Sequence, residues 1–310
     1  MRIIKSEEIT NTVKKMCKEA NYCLPCDIRK AIDNFSETEK SPIGKEILSK
    51  IKDNYKIAEK EQIPICQDTG MAVFFVDIGN DVHIEGDTIT EAINEGVRLG
   101  YTEGYLRKSI VEDPIFRKNT NDNTPAVIHY SFSKGDRIKI TIVPKGFGSE
   151  NMSAIKMFAP SAGVEGIKEF ILETVDKAGS NPCPPIIVGI GIGGNFESCA
   201  EISKKALARE VGSRNPNEFY SDLENELLSL INKTGIGPQG FGGTTTALGV
   251  NIEYFPTHIA GLPVAVNINC HATRHETIVI WRYIYTIYKK IMHKYLFLYK
   301  FLIAKTYILW

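Results

Sequence analysis

Hydrophobic residues recur along this chain with two periods, one of helices and one of strands, and the two alternate. Ile9, Val13, Met16 and Ala20 share one helical face behind Ser6, which reads as an N-cap. Ser41-Pro42 opens a second helix with Ile43, Ile47, Leu48, Ile51 and Tyr55 at helical spacing. Residues 71–76 form an apolar run that reads as a buried strand. Asp87 then caps a helix carrying Ile89, Ile93 and Val97, which closes at Gly100 to Gly104. Residues 126–132 and 137–143 read as a hairpin turned by Lys134-Gly135-Asp136, with Ile138, Ile140 and Ile142 facing a core. Val164, Ile167, Ile171, Leu172 and Val175 mark a helix, and the strand Ile186-Ile187-Val188 leads to another helix near Phe196. Residues 263–269 alternate as a last strand.

This order predicts a mixed α/β fold of α+β character, its helical N-terminal part packed on sheet elements. Two stretches are polar and short of apolar residues: the loop 117–125 and the Gly/Thr/Gln-rich segment 234–249. Each is a surface or binding loop. Residues 1–276 form one catalytic domain. Residues 277–310 break the pattern with aromatic residues and six Lys/Arg without an acid.

Removing that segment changes the charge picture. The whole chain has 37 basic and 37 acidic residues, so residues 1–276 keep all 37 acids against 31 bases. A mildly acidic body argues against a nucleic-acid partner. The seven cysteines are odd in number, and no signal peptide opens the chain, so a reducing cytoplasm is expected rather than a disulfide scaffold. Cys23 and Cys26 form a lone CxxC with no second pair to complete a zinc site, and read as two free thiols at a helix start.

Chemistry concentrates in Cys66-Gln67-Asp68-Thr69-Gly70, a polar turn opening the 71–76 strand. Cys183 stands on a rigid perch between Pro182 and Pro184-Pro185, and Cys270 ends the 263–269 strand. Three such thiolates without a fourth suit a 4Fe–4S cluster with one iron open for Lewis-acid chemistry. Cys199 falls within a helix and reads as core. The stretch 145–153 (KGFGSENMS) offers an N–H-rich cradle for a carboxylate, or a plain strand–turn–helix connection. Two matches to GxGxxG, at 189–194 and 235–240, raise a nucleotide-binding alternative, but neither sits in a clear βαβ unit.

The stretches CQDTG, YLRKSIVEDP, NTPAVIHY, KGFGSENMS, CPPIIVGIGIGGNFE, GIGPQGFGGTTTALG and GLPVAVNINCHATRH, in this order over residues 5–275, resemble the α subunit of class I, iron–sulfur fumarate hydratases. The tartrate dehydratase α subunit is a close relative of that family. The resemblance implies Cys66, Cys183 and Cys270 as cluster ligands and Asp68 and His258 as acid–base groups. It implies Gln67, Arg107, Gly146, Ser149, Asn151 and Ser153 as contacts to a dicarboxylate. It also implies a β subunit that completes the pocket in a hetero-oligomer, with fumarate the first substrate and L-tartrate the alternative. The 277–310 segment matches nothing in the family. It reads as a basic amphipathic helix or as out-of-frame sequence, and no charge-free run in it approaches the ~18 residues of a membrane span.

Overall fold

The computed structural model describes residues 1–281 of the chain. Its strands are β1 (Arg2–Lys5), β2 (Val73–Gly79), β3 (Val82–Glu85), β4 (Val127–Ser133), β5 (Ile138–Ile142), β6 (Ala154–Phe158), β7 (Ile186–Gly193), β8 (Ala247–Phe255), β9 (Leu262–Asn269) and β10 (Glu276–Ile280). The helices are α1 (Ser6–Tyr22), α2 (Cys26–Thr38), α3 (Pro42–Glu61), α4 (Ile89–Glu103), α5 (Phe147–Glu150), α6 (Gly163–Ala178), α7 (Phe196–Ala206) and α8 (Glu218–Asn232). The expected mixed α/β architecture is present. No described helix is long and apolar enough to cross a membrane.

Two four-stranded sheets carry the chain, in the orders β10-β5-β2-β4 and β6-β9-β7-β8, with a small parallel pair β1-β3 beside them. In the first sheet Phe74, Val76, Ile138, Ile140 and Ile142 bury against α1 and α4. The second sheet packs Ile186, Val188, Ile190, Val250, Val264, Val266 and Ile268 against α6 and α8. Helices α2 and α3 join Ile187, Leu248 and Ala272 in a third apolar cluster, which Cys66 and Cys270 border. The thiol-bearing ends of both sheets thereby come to one place.

Several local expectations are corrected. Residues 126–143 do not form a hairpin: β2 lies between β4 and β5, parallel to the first and antiparallel to the second. The Lys134-Gly135-Asp136 turn instead arches over the end of β2, taking the Asp81 N–H on Gly135 O at 2.9 Å. Ser6 does not cap α1; its Oγ accepts the Asp87 N–H at 3.1 Å and joins β3's exit to the helix. The cap of α4 is Thr88, in a reciprocal box with Glu91, not Asp87. Ser41 does cap α3, accepting the Gly44 N–H at 3.2 Å. Strand β10 runs on past residue 276, pairing with β5 from Glu276↔Ile142 to Ile280↔Ile138. The rest of the expected tail, 282–310, lies outside the described residues.

Gly189 and Gly191 of the first GxGxxG match lie inside strand β7, and Gly194 stands just past its end. A Cβ on Gly189 would stand 2.3 Å from Ser203 O, and one on Gly191 2.2 Å from Cys199 O. Glycine is required there so that α7 can lie directly on the strand. The N-terminus of α7 is closed by Asn195, whose Oδ1 accepts the Ser198 N–H at 2.9 Å. No glycine loop is left open there to hold a phosphate.

Candidate functional site

The Cys66–Gly70 turn is fastened at every residue that could let it drift. Asp68 Oδ1 accepts the Gly70 N–H at 3.0 Å, closing a local turn that Gly70 completes with φ +78°. Tyr101, fully buried, donates its hydroxyl to Thr69 O and Gly70 O at 3.1 and 3.0 Å. Asn123, buried in the loop expected to be mobile or binding, donates to Gly70 O at 3.2 Å and pins that loop to the turn. Thr69 Oγ1 donates to Arg107 O at 3.1 Å, which sets Arg107 beside the turn. Met71 and Lys145 exchange backbone hydrogen bonds of 3.0 and 2.8 Å, drawing in the 145–153 segment. Asp68 Oδ2 then accepts the Phe147 N–H at 2.9 Å. Gly146 keeps this contact open, since a Cβ there would lie 3.1 Å from Asp68 Oδ2.

The three lone thiols share this neighbourhood. Cys183 takes φ 55° between its prolines, and its carbonyl accepts from His271 Nδ1 at 3.0 Å. His271 directly follows Cys270, so the β7 entrance and the β9 exit are tied together. Gln239 donates both its N–H and its Nε2 to Pro184 O, at 2.8 and 2.7 Å, and braces the perch from the 234–249 segment. Burial pushes the Cys183 thiol up, and the Cys270 and Cys66 charges push it further. Burial also raises Cys270, with Arg274 and Lys145 pulling it back and Cys66 adding to the rise. Three thiolates that repel one another, with no carboxylate among them, form a donor set for a soft cationic group. Among the described residues no three His, Cys, Asp or Glu groups converge on a single ion. Cys199 lies elsewhere, buried in α7 with its Sγ on Gly191 O at 3.2 Å.

Lys145, which the sequence reading passed over, is 1% exposed beneath this surface. It donates to Ser149 Oγ and Ile268 O, both at 2.9 Å, and pairs with Glu150 Oε2 at 3.2 Å. Burial lowers its pKa to about 8 against the opposing pull of Glu150. Burial disfavours the Glu150 charge, but Lys145 and Lys204 outweigh it and hold that carboxyl below its usual range.

The residues named by resemblance divide. Gln67, Arg107 and Asn151 are exposed beside the turn, and Arg107 has no side-chain partner among the described residues. Ser149 is turned inward, taken up by Lys145 and by Gly146 O. Ser153 is also engaged, its Oγ accepting from Asn267 Nδ2 and the Ile268 N–H at 3.1 and 3.2 Å. His258 is not brought to Asp68 at all. It lies four residues before β9, exposed, while Cys270 follows that strand's last residue. Eight residues of strand at a rise of about 3.3 Å separate the two ends by roughly 25 Å. Thr257 fixes the His258 end by donating to Gly194 O at 2.9 Å, at the far end of β7 from Cys183.

Known proteins resemble this chain over most of its length. A model of the family described as fumarate hydratase (Fumerase) matches residues 10–279, ending within β10. A putative L(+)-tartrate dehydratase subunit alpha of Methanocaldococcus jannaschii is 44% identical over 273 residues, covering 86% of this chain and 95% of that protein. An L(+)-tartrate dehydratase subunit alpha of Escherichia coli is 32% identical over 276 residues, covering 88% and 91%. The match runs through the thiol turns and both sheets. This chain belongs to the fumarate hydratase (Fumerase) family of hydro-lyases.

Proposed function

We propose that this chain is the α subunit of an iron–sulfur hydro-lyase that interconverts fumarate and (S)-malate. The observation that carries the reading is the meeting of three lone thiols, from three separate elements, beside a firmly held aspartate. Cys66, Cys183 and Cys270 would hold a 4Fe–4S cluster. When bound, the cluster supplies Lewis acidity at its remaining iron toward the substrate hydroxyl.

The chain's own residues do the rest. The exposed Arg107 guanidinium takes one substrate carboxylate, by the charge-assisted geometry that suits arginine to this ion. Gln67 and Asn151 offer neutral donors at the rim. Asp68, oriented by the Gly70 and Phe147 N–H groups, moves the proton at the carbon next to the leaving hydroxyl. Gly146 gives Asp68 room. His258 is out of reach within one chain, so its acid–base assignment holds only in an assembly where another copy presents it. Mixing inactive Asp68→Asn and His258→Asn chains recovers activity if sites are shared in that way, and recovers none if they are not.

Arg107 is exposed, and a β subunit docked over it would enclose the substrate. Reaction in a reducing cytoplasm suits a cluster with an open iron. A second reading, dehydration of L-tartrate, is favoured by the names of the two relatives. (S)-Malate and L-tartrate are four-carbon dicarboxylates that differ by one hydroxyl. Anaerobic reconstitution with a β subunit, followed by kcat/KM on fumarate, (S)-malate and L-tartrate, decides between them. Turnover of none of the three would refute both readings.

A further inference from the structure

Arg274 is one of the two fully buried cations described, and the only one without a carboxylate. Its side chain is 2% exposed, and no ion pair involves it among the described residues. Lys145, the other, has Glu150 at 3.2 Å. Arg274 Nη1 donates to Asn21 Oδ1 at 2.6 Å and Nη2 to Asp68 O at 2.9 Å, while Nε is buried with no partner. Asn21 is itself fully buried, and its carbonyl accepts the Ile65 N–H at 2.9 Å. Arg274 and Asn21 thus grip the Cys66 turn from behind at both ends, at Ile65 and at Asp68.

A buried guanidinium without a counter-charge costs far more than its two neutral hydrogen bonds return. Arg274 follows Cys270 by four residues, and its guanidinium bonds the Asp68 carbonyl two residues after Cys66. Both thiols belong to a set that becomes anionic when it ligates. We infer that Arg274 is a positioning residue of the thiol site: it clamps the Asp68 carbonyl and is the built-in counter-charge to the anionic group held by Cys66, Cys183 and Cys270. The inference rests on the reading of those three thiols as ligands.

The test uses the reconstituted full chain with its partner, in wild type, R274Q, R274K and C183S. Two readouts are independent of turnover: iron release to a chelator, and the midpoint potential of the bound cluster. R274Q keeps amide donors and loses the charge. It is expected to release iron about tenfold faster or more, the usual scale for residues that support metal ligands. Its potential is expected to move negative, because a cation no longer favours the reduced state. R274K restores the charge and is expected to stay near wild type in potential, which a purely structural role would not require. C183S is expected to hold no cluster. If C183S loses the cluster while R274Q keeps wild-type release and potential, the inference fails and the ligand reading stands. If C183S keeps the cluster, the ligand set fails and the inference falls with it. Should R274Q not fold, R274K decides alone: a potential displaced from wild type overturns the charge role.

Discussion

Gly191→Ala probes both the packing of the second sheet and the rival reading of its glycine run. The added methyl would lie 2.2 Å from Cys199 O, 2.8 Å from Ile202 Cγ1 and 2.9 Å from Ser203 N. Two of these atoms are backbone of α7, so no side-chain rotation relieves the clash. Ordinary contact begins near 3.4 Å, and reaching it means withdrawing the helix by roughly 1 Å. That withdrawal opens the seam lined by Cys199, Ser203 and Ala206 and stretches the Cys199 Sγ–Gly191 O contact of 3.2 Å. Overpacking of this kind costs about 1–3 kcal/mol, and a backbone clash belongs at the upper end. With a urea m-value of about 3 kcal/mol/M, a cost of about 3 kcal/mol moves the unfolding midpoint down by about 1 M. Far-UV circular dichroism in urea reads it. A shift corresponding to less than about 0.5 kcal/mol would refute the packing argument. Loss of nucleotide binding at unchanged stability would revive the phosphate-loop reading.

The remaining expectations are these. Burial, with the Glu19 carboxyl adding to it, raises Glu276 from 4.5 to about 7, so the folded chain holds a proton there that the unfolded chain releases. The associated stability is full below about pH 4.5 and is lost as pH rises through about 7. Glu276→Gln should match wild type near pH 4.5 and exceed it at pH 8 by on the order of 1 kcal/mol, after discounting for solvent screening; a pH-independent difference in urea midpoint would contradict this. Ending the chain after His275 removes β10 and the 4%-exposed Ile280, and should cost at least about 2 kcal/mol in thermal unfolding; a wild-type melting temperature would count against strand β10. Gly146→Ala presses on Asp68 Oδ2 and should cut turnover about tenfold with little change in melting temperature; wild-type kcat would remove Gly146 from the site.

What was legible in the sequence was what local spacing encodes. The apolar runs of β2, β5 and β9 and the stripes of α1 and α3 fold as their periods predict; Cys270 directly follows β9 and Cys183 shortly precedes β7, while Cys66 lies in the turn well before β2. The hairpin failed because its partner choice is non-local: β2, some fifty residues earlier, takes the place between β4 and β5. The caps at Ser6 and Asp87 failed together, because each satisfies the other across two elements. The glycine run looked like a loop because its reason, a helix laid on a strand, involves atoms of another element. Arg274 and Lys145 went unnoticed because charged side chains are rarely buried, and sequence offers no sign of the exceptions. His258 carries a role by resemblance, and only the β9 register shows that it lies at the opposite end of that strand from Cys270.

The iron and acid-labile sulfide content of the anaerobically reconstituted chain, measured beside its cysteine variants, tests the three-thiol ligand set most directly. Wild type and Cys199→Ser should each hold about four irons per chain, and Cys66→Ser, Cys183→Ser and Cys270→Ser should each lose the cluster. Full iron and sulfide in any one of those three would contradict it.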